Sequence, residues 1–123
     1  MAKILVVDDE PGMRRTVGIM LRRERYQVTE MENVADAVGR LKRERYDLVI
    51  ADLRMEPLDG LDLLVLARAH HTRSPVLIMT AFNTTEARSQ AMELGAADVI
   101  DKPLQAPAFL QKVREIVPEA AAA

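Results

Sequence analysis

Asp52 closes an unbroken apolar run, Leu48-Val49-Ile50-Ala51, after which the chain turns through Pro57 and Gly60. Asp8 and Asp9 close a second run, Ile4-Leu5-Val6-Val7; Thr80 closes a third, Val76-Leu77-Ile78-Met79; Lys102 follows a weaker one, Val99-Ile100-Asp101. These groups can act together only if the runs lie side by side. A run apolar at every position is the habit of a parallel strand covered on both faces, and ligands of open α/β sheets bind at the carboxyl ends of such strands. Brought to one edge, unit charges about 5 Å apart at an effective dielectric near 20 repel by about 3 kcal/mol per pair, so the carboxylates call for a cation. An all-oxygen site with a backbone carbonyl and room for water suits Mg²⁺ or Mn²⁺, whereas zinc would take histidine or cysteine. A carboxylate held beside such a cation can attack a phosphoryl group and form an acyl phosphate, with Lys102 supplying a point charge and Thr80 a hydroxyl donor to the phosphoryl oxygens.

The segments between these groups alternate between two periods. Lys3 to Val7 reads as a strand, and Pro11-Gly12 opens a helix with Met13, Val17, Met20 and Leu21 inward and Arg14, Arg15, Arg22 and Arg23 outward. Gln27 to Met31 alternates, as an edge strand open to water does. Asn33, with Asp36 three residues on, caps a helix that buries Val34, Ala37, Val38 and Leu41. After the Asp52 strand a helix runs from about Leu61 to His70, broken by Ser74-Pro75. Asn83 or a neighbouring threonine caps a fourth helix containing Ala87, Ala91, Met92 and Leu94, and Gly95 suits its left-handed end. Asp98 to Asp101 is a weak strand, followed by a helix with Phe109, Leu110, Val113, Ile116 and Val117. Five strand and helix alternations make an α/β, flavodoxin-like three-layer sandwich, and with the weaker second and fifth strands at the edges the sheet order is 2-1-3-4-5. That order reverses between strands one and three, where Asp8, Asp9 and Asp52 fall.

The 123 residues fit one core. Cysteine is absent, which excludes a disulfide framework or a thiolate site and suits a cytoplasmic location. The start of the chain reaches charge too soon for a signal peptide, and no apolar run approaches the roughly 20 residues of a membrane span. With 17 basic and 19 acidic residues the net charge is -2, which offers no drive toward direct nucleic-acid binding. The basic runs Arg22 to Arg25 and Lys42 to Arg45 read as solvated helix ends, where cations suit the dipole. Arg14 and Arg15, one turn past the acidic pair, stand where a partner could meet them. His70 and His71 lie at the wrong end of a helix to serve as ligands of the acidic site.

Asp8-Asp9, Asp52 with Met55 and Asp59-Gly60 beyond it, Thr80-Ala81 and Lys102-Pro103 together resemble the receiver domain of two-component response regulators. The likeness covers Lys3 to about Val117, giving a receiver domain over residues 1–118 and a linker stub or cloning remnant over 119–123. It implies that Asp52 is the phosphoacceptor, charged from a sensor histidine kinase, and that the chain catalyses only its own phosphorylation and dephosphorylation. By the same likeness Asp9, Asp52 and the Arg54 carbonyl hold Mg²⁺, with Asp8 assisting, and Lys102-Pro103 is a cis peptide. It further implies homodimers through the face of helix four, strand five and helix five, and a C-terminal output domain. Asp52-Leu53-Arg54-Met55 and Met79-Thr80-Ala81-Phe82 most resemble the enhancer-binding transcription regulators within that family.

Two positions depart from the family pattern. Glu56 stands where proline is frequent, with Pro57 one residue later, so the loop beside Asp52 should differ. Val99 stands where the family usually has the aromatic ring that swings inward, which leaves Phe82 as a substitute ring. A receiver that no longer takes phosphate and serves only as an interaction module is therefore the competing reading. An aspartyl phosphatase would need an acid where Arg54 stands. A flavin carrier would need a hydroxyl- and glycine-rich loop after the first strand and more rings than Tyr26, Tyr46, Phe82 and Phe109.

Overall fold

The computed structural model describes residues 1–70 and 72–117. His71 and the expected stub at 119–123 lie outside them. The elements are β1 (Lys3–Val7), α1 (Pro11–Arg23), β2 (Gln27–Met31), α2 (Val34–Arg43), β3 (Leu48–Asp52), α3 (Gly60–Ala69), β4 (Val76–Thr80), α4 (Thr85–Glu93), β5 (Asp98–Asp101) and α5 (Ala106–Ile116). All strand pairs are parallel and the order is β2-β1-β3-β4-β5, as the edge argument required. Alternate side chains of the three inner strands feed two cores. Ile4, Val6, Leu48, Ile50, Leu77 and Met79 meet α1 and α5; Leu5, Val7, Val49, Ala51 and Ile78 meet α2, α3 and α4. No helix among the described residues is long and apolar enough to cross a membrane.

Register places the polar groups. Val7 pairs with Ala51, so Asp8 and Asp52 are the next positions on neighbouring strands. Asp52 pairs with Met79, and Thr80 with Asp101, which sets Thr80 and Lys102 one step further along the same edge. Helix signals decide how each loop leaves that edge. Asn33 caps α2 by accepting from the Asp36 amide at 2.8 Å. The α3 helix starts one residue before the expected Leu61, because Asp59 and Asp62 close a reciprocal capping box about it. At α4 the cap is Thr84, which accepts from the Ala87 amide at 3.0 Å. Asn83, the alternative, instead has a buried side-chain oxygen without a partner among the described residues. Met92, placed by spacing on α4, is 40% exposed and Ala91 carries the buried contact of that helix. Gly95 has φ 101, the left-handed end expected there.

Gly60 ties α3 to the site. A Cβ there would come within 2.7 Å of the Asp52 carbonyl oxygen and 3.1 Å of Ile78 Cδ1. The obstructing atom is backbone and cannot step aside as a side chain would. Gly60→Ala is expected to destabilise the fold by about 1–3 kcal/mol in urea unfolding, the cost of overpacking a tight contact. An unchanged midpoint would show that α3 does not press on Asp52.

Candidate functional site at the carboxyl edge of β1 and β3

Asp8, Asp9 and Asp52 come together at the point where strand order reverses, and each can offer a carboxylate oxygen within 4.8 Å of the others. Asp8 is fully buried, Asp52 nearly so at 7% exposure, and Asp9 faces solvent. Lys102 crosses from beyond β5, its ammonium donating to Asp52 Oδ2 at 3.0 Å and reaching Asp8 Oδ2 at 3.5 Å. One cation thus sits between two buried carboxylates. Backbone donors complete the set: the Glu10 amide to Asp8 Oδ1 at 3.0 Å and the Arg54 amide to Asp52 Oδ1 at 3.2 Å. The Lys102-Pro103 bond is cis, as expected, and so is Glu56-Pro57.

Burial pushes the Asp8 carboxyl above its ordinary value, against the opposing pull of the Glu10 amide and Lys102, with the nearby Asp52 charge adding to the rise. Burial also works against the Lys102 ammonium, but its hydrogen bond to Asp52 and the charge of Asp8 outweigh this and raise its pKa. The donor set is all oxygen, partly buried and crowded with negative charge, so its chemistry fits a hard divalent cation such as Mg²⁺. A shallow groove lined by Asp9, Leu53, Arg54, Met55 and Glu56 opens beside it. A second hollow of similar volume lies at the opposite edge of the sheet, among Arg45, Tyr46, His70 and Arg73. It holds none of the converging carboxylates, and the chemistry belongs to the groove beside Asp9.

Thr80 is buried at the end of β4, and its hydroxyl oxygen accepts from the Phe82 amide at 3.0 Å. Phe82 itself is 56% exposed, with the Arg54 guanidinium 4.4 Å from its ring centre. Sequence reasoning missed that contact. Arg54 and Phe82 each follow a strand-end polar residue, Asp52 and Thr80, by two positions on adjacent strands, and that equal spacing was the available signal. Val99, at the usual aromatic position, is buried in the core. Arg14 was expected to face outward, but its guanidinium turns in and donates to the Asp8 carbonyl oxygen at 2.7 Å. On the far side of α4, Asp98 is held by Arg88 and Lys112, each at 2.8 Å.

This arrangement is that of a known family. Residues 4–114 match the family model of the response regulator receiver domain, and the chain belongs to that family. It is 36% identical over 115 residues to the response regulator protein PilR of Pseudomonas aeruginosa, covering 94% of this chain and 25% of that protein. It is 34% identical to the transcriptional regulatory protein GlrR of Escherichia coli, covering 99% of this chain and 28% of the relative. The chain therefore spans about a quarter of the length of these relatives. Among solved structures, the receiver domain of the sensor histidine kinase PA1611 from Pseudomonas aeruginosa, with a magnesium ion coordinated in its active-site cleft, aligns with TM-score 0.86 and 28% identity over 94% of this chain and 97% of that one. The receiver domain of the Francisella response regulator 1452 shares the fold at TM-score 0.89 and 24% identity, over 95% and 97% of the two chains.

The raised pKa of Asp8 has a consequence for stability. Below the ordinary aspartate pKa both folded and unfolded chains carry the proton and the group contributes nothing. As pH rises the unfolded chain ionises first, so above the folded pKa the charge of Asp8 weakens the fold. With metal chelated, Asp8→Asn is expected to unfold at higher urea than wild type at pH 7, and the difference should shrink as pH falls below the ordinary carboxylate range. A variant less stable at pH 7 would show that Lys102 and the Glu10 amide outweigh burial.

Proposed function

We propose that the chain is a phosphoryl-accepting switch in which Asp52 is the phosphoacceptor, charged from a phosphohistidine on a sensor histidine kinase. The observation that carries this reading is the convergence of Asp8, Asp9, Asp52 and Lys102 on one strand-end site. Asp9, Asp52 and the Arg54 backbone carbonyl would hold Mg²⁺, with Asp8 assisting. The bound ion would neutralise phosphoryl oxygens and help align the group for attack. Asp52 supplies the nucleophilic carboxylate oxygen, aimed by the Arg54 amide and Lys102. Lys102 is in place to receive a phosphoryl oxygen when it leaves the carboxylates, and Thr80 can donate its hydroxyl proton while exchanging its hold on the Phe82 amide. The chain would catalyse only its own phosphorylation and dephosphorylation.

The receiver unit spans residues 1–118 and works in the cytoplasm beside a C-terminal output domain. The relatives' names point to a transcriptional output, and the Asp52 and Thr80 motifs to the enhancer-binding subclass. Homodimers through the face of α4, β5 and α5 would transmit the signal. A phosphoryl group brings charge and three acceptor oxygens to Asp52, and these act on groups already connected to the β4–α4 loop. Thr80 binds the Phe82 amide, and Arg54 stacks on the Phe82 ring, so a change at Asp52 reaches that loop by two contacts. Val99 offers no ring to move, so the signal runs through Phe82 and α4.

Incubation with a small phosphodonor and Mg²⁺ is expected to add one phosphoryl group by intact mass, mapped to Asp52, and Asp52→Asn or Asp9→Ala to abolish it. Labelling elsewhere would defeat the assignment. A chain that takes no label, yet whose output or partner binding is unaffected by Asp52→Asn, would be an interaction module instead.

The route of the switch has its own test. On adding a phosphoryl mimic, amide exchange should change more over residues 80–95 than over 98–103, and Phe82→Ala should flatten the difference. A larger change around Val99 would refute the route through Phe82.

A further inference from the structure

Asp9 is the one carboxylate of the trio exposed to solvent, and among the described residues its side chain accepts no hydrogen bond. What aims it is therefore its backbone. The peptide plane joining Asp8 to Asp9 is rigid, so whatever fixes the Asp8 carbonyl also fixes the Asp9 N–Cα bond about which its side chain is carried. That carbonyl is gripped by Arg14 Nη1 at 2.7 Å. The Arg14 side chain, only 18% exposed, is in turn steadied from β2: its Nε lies 3.9 Å from Glu30 Oε1, and Glu30 Oε2 is held by Arg22 Nη1 at 2.7 Å. A glycine makes the arrangement possible. A Cβ on Gly18 would stand 2.8 Å from Glu30 Oε2 and 2.9 Å from Arg22 Nη1, so α1 leaves its face open where the two side chains cross it.

We infer that Arg14, braced by Glu30, is a positioning residue that sets the Asp8–Asp9 peptide so that Asp9 points into the cation site. The inference rests on the metal reading proposed above. It assigns Arg14 a task inside the molecule, where its place on α1 beside the acidic pair suggested contact with a partner. Three roles for this arginine differ in sign. As a mere neighbouring cation it would repel Mg²⁺, and its removal would tighten binding. As a merely structural contact its removal would lower the unfolding temperature and leave the affinity of the folded protein unchanged. As a positioning residue its removal weakens Mg²⁺ binding despite the loss of a repelling charge. Residues that orient metal ligands commonly contribute about 10-fold or more to affinity.

The test is Mg²⁺ titration by calorimetry on wild type, Arg14→Met, Glu30→Gln and the double variant, with Val38→Ala in α2 as a destabilised control. Metal-free amide spectra of each are recorded alongside. Arg14→Met is expected to bind about 10-fold more weakly, Glu30→Gln more weakly than wild type, and the pair no worse than Arg14→Met alone, because both act through one contact. The metal-free Asp9 amide should shift in both single variants, while Val38→Ala should lower stability and leave affinity intact. Equal or tighter binding by Arg14→Met, or a loss matched by Val38→Ala, overturns the inference and leaves the metal reading standing. Wild-type protein that does not bind Mg²⁺ overturns both.

Discussion

Two buried carboxylates on neighbouring strands, sharing one ammonium group, are the constraint on which the rest of the molecule depends. Asp8 and Asp52 sit where β1 and β3 end, and Lys102 lies 3.5 Å and 3.0 Å from them. Burying like charges side by side is unfavourable unless a cation and hydrogen bonds compensate. The compensation must come from far along the chain, so the fold has to deliver Lys102 to residues 94 and 50 positions earlier. Register does this. Each inner strand carries its polar group to the same edge, and the apolar residues beneath leave the strands no freedom to slip.

The same constraint makes the site responsive. Its negative charge exceeds what its partners neutralise, since Asp9 has no hydrogen-bonded partner among the described residues and Lys102 is shared between Asp8 and Asp52. In the proposed switch, an added phosphoryl group or cation redistributes contacts already in place. In that proposal the β4–α4 loop is the part that responds. Thr80 holds the Phe82 amide, the Phe82 ring lies under Arg54, and the Asn83 oxygen nearby is buried without a partner among the described residues. A loop with an orphaned polar atom and an exposed ring has less to lose by moving than the inner strands beside it.

Much of this was legible in the sequence. The continuous apolar runs marked three inner strands, alternation in Gln27 to Met31 and the weakness of Asp98 to Asp101 marked the edges, and with the connection rules these favour the sheet order observed. Asn33 with Asp36, and Gly95 after α4, announced their helix ends correctly because capping is a local interaction between residues three or four apart. Where several local solutions compete, sequence reading lost resolution. Asn83 and Thr84 both suit the α4 cap, and it is Thr84 that accepts the Ala87 amide. Met92 fits helical spacing, yet α4 lies against the sheet through Ala91 and leaves it outside.

Which groups end the strands, and what chemistry they share, follows from the order of residues alone, because strand-end position comes from apolar periodicity and donor type is written in the residue names. Tertiary structure decided how those groups touch. That Lys102 favours Asp52 over Asp8, that Arg14 turns inward to the Asp8 carbonyl, and that Arg54 covers Phe82 are outcomes of side-chain directions on separate elements. No local pattern encodes them. They depend on the twist and register of strands joined by long crossovers, which bring distant residues within reach only after the two cores have closed.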